Sequence, residues 1–150
     1  MMKYFRTLNS EVSREDQLDW GKLLRKLKEL ADGFVNGPVF IEMGIRFRED
    51  VEEVFGKPKA VYFPKYGNDL DQLLMVYGNH PIVSLDGEKG VSLVYHAMKD
   101  LRPRSVFDPF IGLGTTARAC KKLGAVCIGA ELNQKRLVEA AKILPFEVIP

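Results

Sequence analysis

The chain is poor in the residues that usually build a covalent or metal framework. Two cysteines, Cys120 and Cys127, cannot make a disulfide scaffold and have no metal-ligand spacing. Both read as small core residues, Cys120 on a helix and Cys127 on the strand after it. Two histidines, His80 and His96, add nothing to a metal set, so no metal is expected. No apolar run approaches the ~20 residues of a membrane span. The start, MMKYFRTLNSEVSRED, has no apolar signal core. Net charge is only +2, so composition does not announce a nucleic-acid binder, although a local basic face is compatible with it. There are no internal repeats and no low-complexity segment. The expectation is a cytoplasmic protein without membrane association. Its 150 residues, 46% hydrophobic and 28% charged, suffice for a single domain spanning 1–150.

What the chain does have is concentrated between Ser105 and Glu131, SVFDPFIGLGTTARACKKLGAVCIGAE. Ser105-Val106-Phe107 has the length of a buried strand. Gly112 and Gly114 follow, two apart. Thr115 or Thr116 can then cap a helix through Ala117, Ala119, Cys120 and Leu123, which Gly124 ends. Ala125 to Ala130 reads as the next strand, with Glu131 at its carboxyl end. Strand, Gly-rich turn, helix, strand and acid make the order of a nucleoside-binding βαβ unit. Glycines let the backbone turn sharply and approach a ligand. Free N–H groups at the helix start favour an anionic group. A carboxylate after the second strand can accept both ribose hydroxyls, in charge-assisted bonds of roughly 1.5–3 kcal/mol each. The same order also describes a βαβ unit with a tight turn and no ligand.

Gly112 to Ala117 also fits the Gly-x-Gly-x-x-Ala form of the dinucleotide fingerprint. Asp108 argues against that reading, because an acid four residues before the first glycine would repel a pyrophosphate. The same carboxylate would attract the ammonium and sulfonium of S-adenosylmethionine.

Asp108-Pro109-Phe110-x-Gly112-x-Gly114-Thr115-Thr116 resembles the cofactor loop of the DNA amino-methyltransferases, which methylate N6 of adenine or N4 of cytosine. Gly129-x-Glu131-Leu132-Asn133 is similar to the family's acidic ribose site. The loop's usual Gly-Ser-Gly is Gly-Leu-Gly here. Lys89-Gly90 stands where the family has a Lys-Pro that opens the helix before the cofactor strand, in a loop that contacts the methionine end. The resemblance is specific over about residues 84 to 144. It implies S-adenosylmethionine as cofactor and DNA as a partner. Asp108 would face the methionine ammonium, Pro109, Phe110, Gly112, Gly114, Thr115 and Thr116 would form the cofactor loop, and Glu131 would hold the ribose.

Upstream, Ser13 with Asp16 can start an amphipathic helix through Trp20, Leu23, Leu24, Leu27 and Leu30, ending near Gly33. Its lysines and arginine read as a solvated, partly paired face, with phosphate contact as the other reading. Residues 38–43 read as a strand, 48–55 as a helix stopped by Gly56, and 60–63 and 73–77 as an antiparallel hairpin. Tyr62, Phe63, Tyr66 and Tyr77 read as core, with base stacking as the alternative. Residues 91–101 read as a helix broken by Pro103, and 136–144 as a last helix. Lys3–Arg6 and Phe146–Ile149 are candidate short strands.

Only nineteen residues follow Glu131, too few to complete a doubly wound sheet, so the other strands must come from upstream. The fold class expected is α/β: a Rossmann-like S-adenosylmethionine-dependent methyltransferase fold, compact or truncated, in permuted strand order. The family's catalytic element, an Asp, Asn or Ser followed by Pro-Pro and an aromatic that stacks on the flipped base, does not occur, for no two prolines are adjacent. No catalytic residue is therefore assigned. The element would have to be absent, reduced or carried by a second polypeptide. Two further readings stay open: a non-catalytic adenosyl-cofactor module or partner subunit, and an NAD-binding Rossmann protein.

Overall fold

The computed structural model of the protein describes residues 19–67, 71–81 and 83–143. The chain divides into two compact units, Met1–Gly87 and Glu88–Pro150.

The first unit begins with helix α1, Trp20–Phe34. The Asp19 side chain caps it by accepting from the Lys22 N–H at 3.1 Å. The start foreseen at Ser13 and Asp16 lies outside the described residues. Strand β1 (Val39–Gly44) runs through a 3-10 turn, Ile45–Phe47, into helix α2, Arg48–Phe55. Gly56, at φ 81°, stops α2, a conformation that glycine adopts without steric cost. Strands β2 (Ala60–Tyr62) and β3 (Gln72–Tyr77) form the antiparallel hairpin. β3 is the central strand of a three-stranded antiparallel sheet, pairing with β1 from Val39–Tyr77 to Gly44–Gln72.

Being central, β3 is buried from Leu73 to Val76. Leu73 and Met75 join Leu24, Met43 and Val51 in one core, with Trp20, Phe47, Phe55 and Tyr77 packed around it. Trp20 lies 5.2 Å from the Phe47 ring, and its indole N–H donates to Asp50 Oδ2 at 3.0 Å. Tyr62 is buried, and Tyr66 and Tyr77 are half-buried. Phe63 departs from the core reading, being 42% exposed just past the end of β2. The charges on α1 are paired in part, Lys26 with Glu29 and Lys28 with Asp32.

The second unit opens with helix α3 (Gly90–Met98), which passes into a 3-10 turn, Lys99–Leu101. Arg102 closes it in the left-handed region at φ 46°, directly before Pro103. Then come strand β4 (Ser105–Asp108), helix α4 (Thr115–Leu123), strand β5 (Val126–Gly129) and helix α5 (Gln134–Ala141). Leu144 and the foreseen strand at 146–149 lie outside the described residues, as does that at 3–6.

β4 and β5 are parallel, in register from Ser105–Val126 to Asp108–Gly129. A strand, crossover helix and parallel strand is the βαβ unit that the sequence spelled out. Two details differ from expectation. Among the described residues β4 and β5 form a two-stranded sheet, while the upstream strands make an antiparallel sheet of their own rather than one doubly wound sheet. The strands are also only half-buried. Val106 and Cys127 lie on one face, whereas Phe107, Val126 and Ile128, on the other, are 41%, 63% and 52% exposed. Among the described residues no helix is long and apolar enough to cross a membrane.

Candidate cofactor site

The parallel register puts Asp108 opposite Gly129, so Asp108 and Glu131 emerge at the same carboxyl end of the strand pair. That end of a parallel sheet, where the chain leaves for its helices, is where α/β folds bind ligands.

The pairing continues past the strand ends. The Ala130 N–H donates to the Asp108 carbonyl at 3.1 Å, and the Ile111 N–H donates to the Ala130 carbonyl at 3.0 Å. The loop 109–114 is thus fastened to the segment that carries Glu131. Side chains reinforce this. Gly129 leaves the space that Ile111 fills, and a Cβ at Gly129 would fall 2.9 Å from Ile111 Cβ. Ile111 is buried with Ala117 and Ala140.

Asp108 organises the loop. Its Oδ1 accepts the Phe110 N–H at 2.9 Å, and its Oδ2 accepts the Thr116 hydroxyl. This corrects the expectation that a threonine caps α4. The N-cap is Gly114, at φ 88°, with no side-chain cap bond, and Thr116 turns back to the strand end instead. The reason is local. The tight turn closed by the Gly114 N–H to the Ile111 carbonyl, 2.8 Å, leaves Gly114 in the left-handed region immediately before the helix. Gly112 is buried with φ 52°, and Pro109 and Thr115 are half-buried. Phe110 is exposed at the loop surface.

The space beside Gly114 is filled by protein. A Cβ there would meet the Ile143 side chain and lie 3.3 Å from Ala140 Cα. The left-handed backbone and the close approach of Ala140 and Ile143 together favour glycine at this position.

Glu131 is half-buried, and its Oε1 accepts the Asn133 N–H at 2.8 Å. Asn133 in turn caps α5, its side chain accepting from the Lys135 and Arg136 N–H groups at 3.1 and 3.2 Å. Among the described residues neither Asp108 nor Glu131 is in an ion pair; their bonds are to N–H and O–H donors. Two carboxylates at one strand end suit a cationic group and neutral hydroxyls, and repel a pyrophosphate.

Cys120 is fully buried and Cys127 half-buried, as small core residues. Their thiols share a hydrogen bond, which together with burial and the nearby Asp108 charge pushes the Cys127 thiol well above its ordinary range. Among the described residues no cluster of His, Cys, Asp or Glu is arranged to hold a metal.

Sequence reasoning missed Ile111, Ala130 and the capping role of Asn133. Asn133 was legible in principle, standing directly before the α5 sequence. The Ile111–Gly129 contact joins positions eighteen apart and has no short-range signature.

The DNA methylase family model for N6/N4 methyltransferases matches residues 93–142, a third of the chain, which contains both carboxylates. The crystal structure of M1.HpyAVI matches with 24% identity and a TM-score of 0.62, over 81% of this chain and 80% of that one. The crystal structure of the M1.HpyAVI-SAM complex matches with 21% identity and a TM-score of 0.61, over 83% of each. No curated protein matches in sequence. The fold is that of the M1.HpyAVI structures, and the resemblance read from the cofactor loop holds for residues 93–142, which contain it.

Proposed function

We propose that this protein binds S-adenosylmethionine and is a DNA amino-methyltransferase-like protein in which residues 1–150 act as one cytoplasmic domain. The observation that carries the reading is the parallel register that gathers Asp108, the Gly112–Gly114 loop and Glu131 at one end of β4 and β5.

The residues fit the cofactor's chemistry. Asp108, oriented by Phe110 and Thr116, presents a carboxylate to an ammonium. Pro109, Phe110 and Thr115 complete the loop around it. Glu131 has one oxygen held by Asn133, which sets the other to accept ribose hydroxyls. When bound, the cofactor supplies a methyl group activated by the sulfonium for direct displacement by an exocyclic amine of DNA.

The protein's part beyond binding would be to hold that amine in line with the reacting bond. Elsewhere this is the task of the Pro-Pro-aromatic element, which this sequence does not have. The nearest acid–aromatic pair is Asp19-Trp20, and both are engaged: Asp19 caps α1, and Trp20 packs on Phe47 and bonds Asp50. This favours a second reading within the first. The polypeptide is a cofactor-binding partner subunit, and activity requires another polypeptide that supplies the missing element.

Calorimetric titration with S-adenosylhomocysteine and with NAD tests the cofactor. Binding of the former in preference is expected, and equal or tighter NAD binding would overturn the proposal. Tritium transfer from labelled cofactor to unmodified genomic DNA tests the second reading. No incorporation is expected from the isolated chain, and robust incorporation would show that a catalytic centre lies elsewhere in it.

A further inference from the structure

The small net charge hides a segregation. Between Glu88 and Ile143 there are ten Lys and Arg against five Asp and Glu. Four of those five acids are engaged locally: Glu88 with Ser92 and His96, Asp108 with Phe110 and Thr116, Glu131 with Asn133, and Glu139 with Lys142. The excess positive charge therefore has few carboxylate partners within the segment.

Part of it is collected at one place. A groove of about 460 Å³ is lined by Val91 of α3, by Arg118, Lys121 and Lys122 of α4, and by Ile143 after α5. Among the described residues no carboxylate lines it. Arg118, Lys121 and Lys122 are exposed, and none of them is in a salt bridge among the described residues. Positions 118, 121 and 122 share one face of a helix. Arg118 is held by its Nη1 donating to the Leu113 carbonyl at 3.0 Å, which ties the groove to the cofactor loop. Lys122 Nζ stands 6.0 Å from the Tyr95 ring centre, within reach of its face.

We infer that this groove seats the phosphate backbone of duplex DNA through Arg118, Lys121 and Lys122, an inference that rests on the DNA-directed reading of the same unit. The helix span from 118 to 122 is ~6 Å. Duplex DNA presents one charge per ~1.7 Å of its axis, so several phosphates fall within reach of these cations. A segment with twice as many bases as acids suits such a polyanion better than a single small anion. Phosphate contacts carry no sequence information, so the groove would position DNA, and selection of a site would lie elsewhere.

The test compares the full chain with the double variant Lys121→Gln/Lys122→Gln, which keeps helix propensity and removes two charges at exposed positions. Arg118 is left intact because it also supports the loop. Fluorescence anisotropy with a labelled random-sequence duplex is measured over a series of salt concentrations, and circular dichroism checks the fold. Wild type should bind, with affinity falling as salt rises. The variant should bind about tenfold more weakly, with a salt slope shallower by about 1.8. An unchanged affinity and slope, or no duplex binding by wild type, would overturn the inference. So would competition by inorganic phosphate at the same phosphate concentration as unlabelled duplex, which would mark a free-anion site. Calorimetry with S-adenosylhomocysteine on both proteins separates the two proposals. Unchanged cofactor binding with unchanged DNA binding defeats only the groove, and absent cofactor binding in wild type defeats the cofactor reading.

Discussion

The Thr116 hydroxyl donates to Asp108 Oδ2, joining the first turn of α4 to the last residue of β4. The bond spans the Gly-rich turn and fixes the direction in which the Asp108 carboxylate faces. Thr116→Val keeps the shape of the side chain and removes the donor. Hydrogen bonds to charged groups are worth about 1.5–3 kcal/mol, so affinity for S-adenosylhomocysteine should fall about ten- to a hundred-fold, while Thr116→Ser retains it. Titration calorimetry on both variants decides this. Equal affinity in Thr116→Val and wild type would remove Asp108 orientation from the account.

Glu131→Ala should lower affinity for the same ligand by a comparable factor, since it removes a charged acceptor for ribose hydroxyls. Glu131→Gln separates two roles. Its amide oxygen can still accept the Asn133 N–H, so helix α5 should stay capped and unfolding in urea should change little. Full cofactor affinity in Glu131→Gln would mean that the charge of Glu131 plays no part.

Gly114→Ala is expected to destabilise the protein by roughly 2–5 kcal/mol. A left-handed conformation costs a residue with a Cβ about 1–2 kcal/mol, and overpacking against Ile143 and Ala140 adds about 1–3 kcal/mol. The loss should appear in the unfolding midpoint with no ligand present. Gly114→Ala combined with Ile143→Ala should recover the packing part and leave the conformational part. If Gly114→Ala is as stable as wild type yet fails to bind cofactor, close approach of the ligand is the dominant requirement there.

Glu42 governs a pH response in the other unit. It lies on β1 opposite Leu74, and burial raises its pKa above its ordinary 4.5, with a hydrogen bond from Tyr66 opposing the shift. The folded state therefore holds this proton at a pH where the unfolded chain has released it. Stability from this group is greatest below 4.5 and falls as pH rises through the raised value. Glu42→Gln should flatten that fall, so the variant gains on wild type as pH rises above 4.5 in urea unfolding. A parallel pH dependence in the two proteins would show that Glu42 ionises without cost.

Much of this was legible because it is local. Gly124 ends α4 at φ 67° and Gly56 ends α2, as their positions after apolar helical stretches imply. The β2–β3 hairpin and the β4–α4–β5 order follow from short apolar runs between turn residues. What escaped depends on contacts distant in sequence. Either threonine after Gly114 could have been the cap, and the choice fell to a third residue because the turn from Ile111 set the backbone. Ser105 to Phe107 reads as a buried strand, yet Phe107 is 41% exposed. A run of apolar residues records that a strand forms, not how many of its faces are covered. Glu42 looks like a surface residue by type, yet it is half-buried on β1, where it pairs with β3 at Leu74.

The seating of Ile111 on Gly129 bears on how such a site can vary between related chains. The two positions form a single volume that one side chain fills. A substitution at residue 129 that adds a methyl group leaves room only if residue 111 shrinks. A change at residue 111 alone leaves a hole beneath the loop. The two positions should therefore be exchanged together, Gly with Ile or Ala with a smaller partner, and rarely one at a time. Measured as a double-mutant cycle, Gly129→Ala and Ile111→Ala should be clearly non-additive, the pair together more stable than the sum of the single losses.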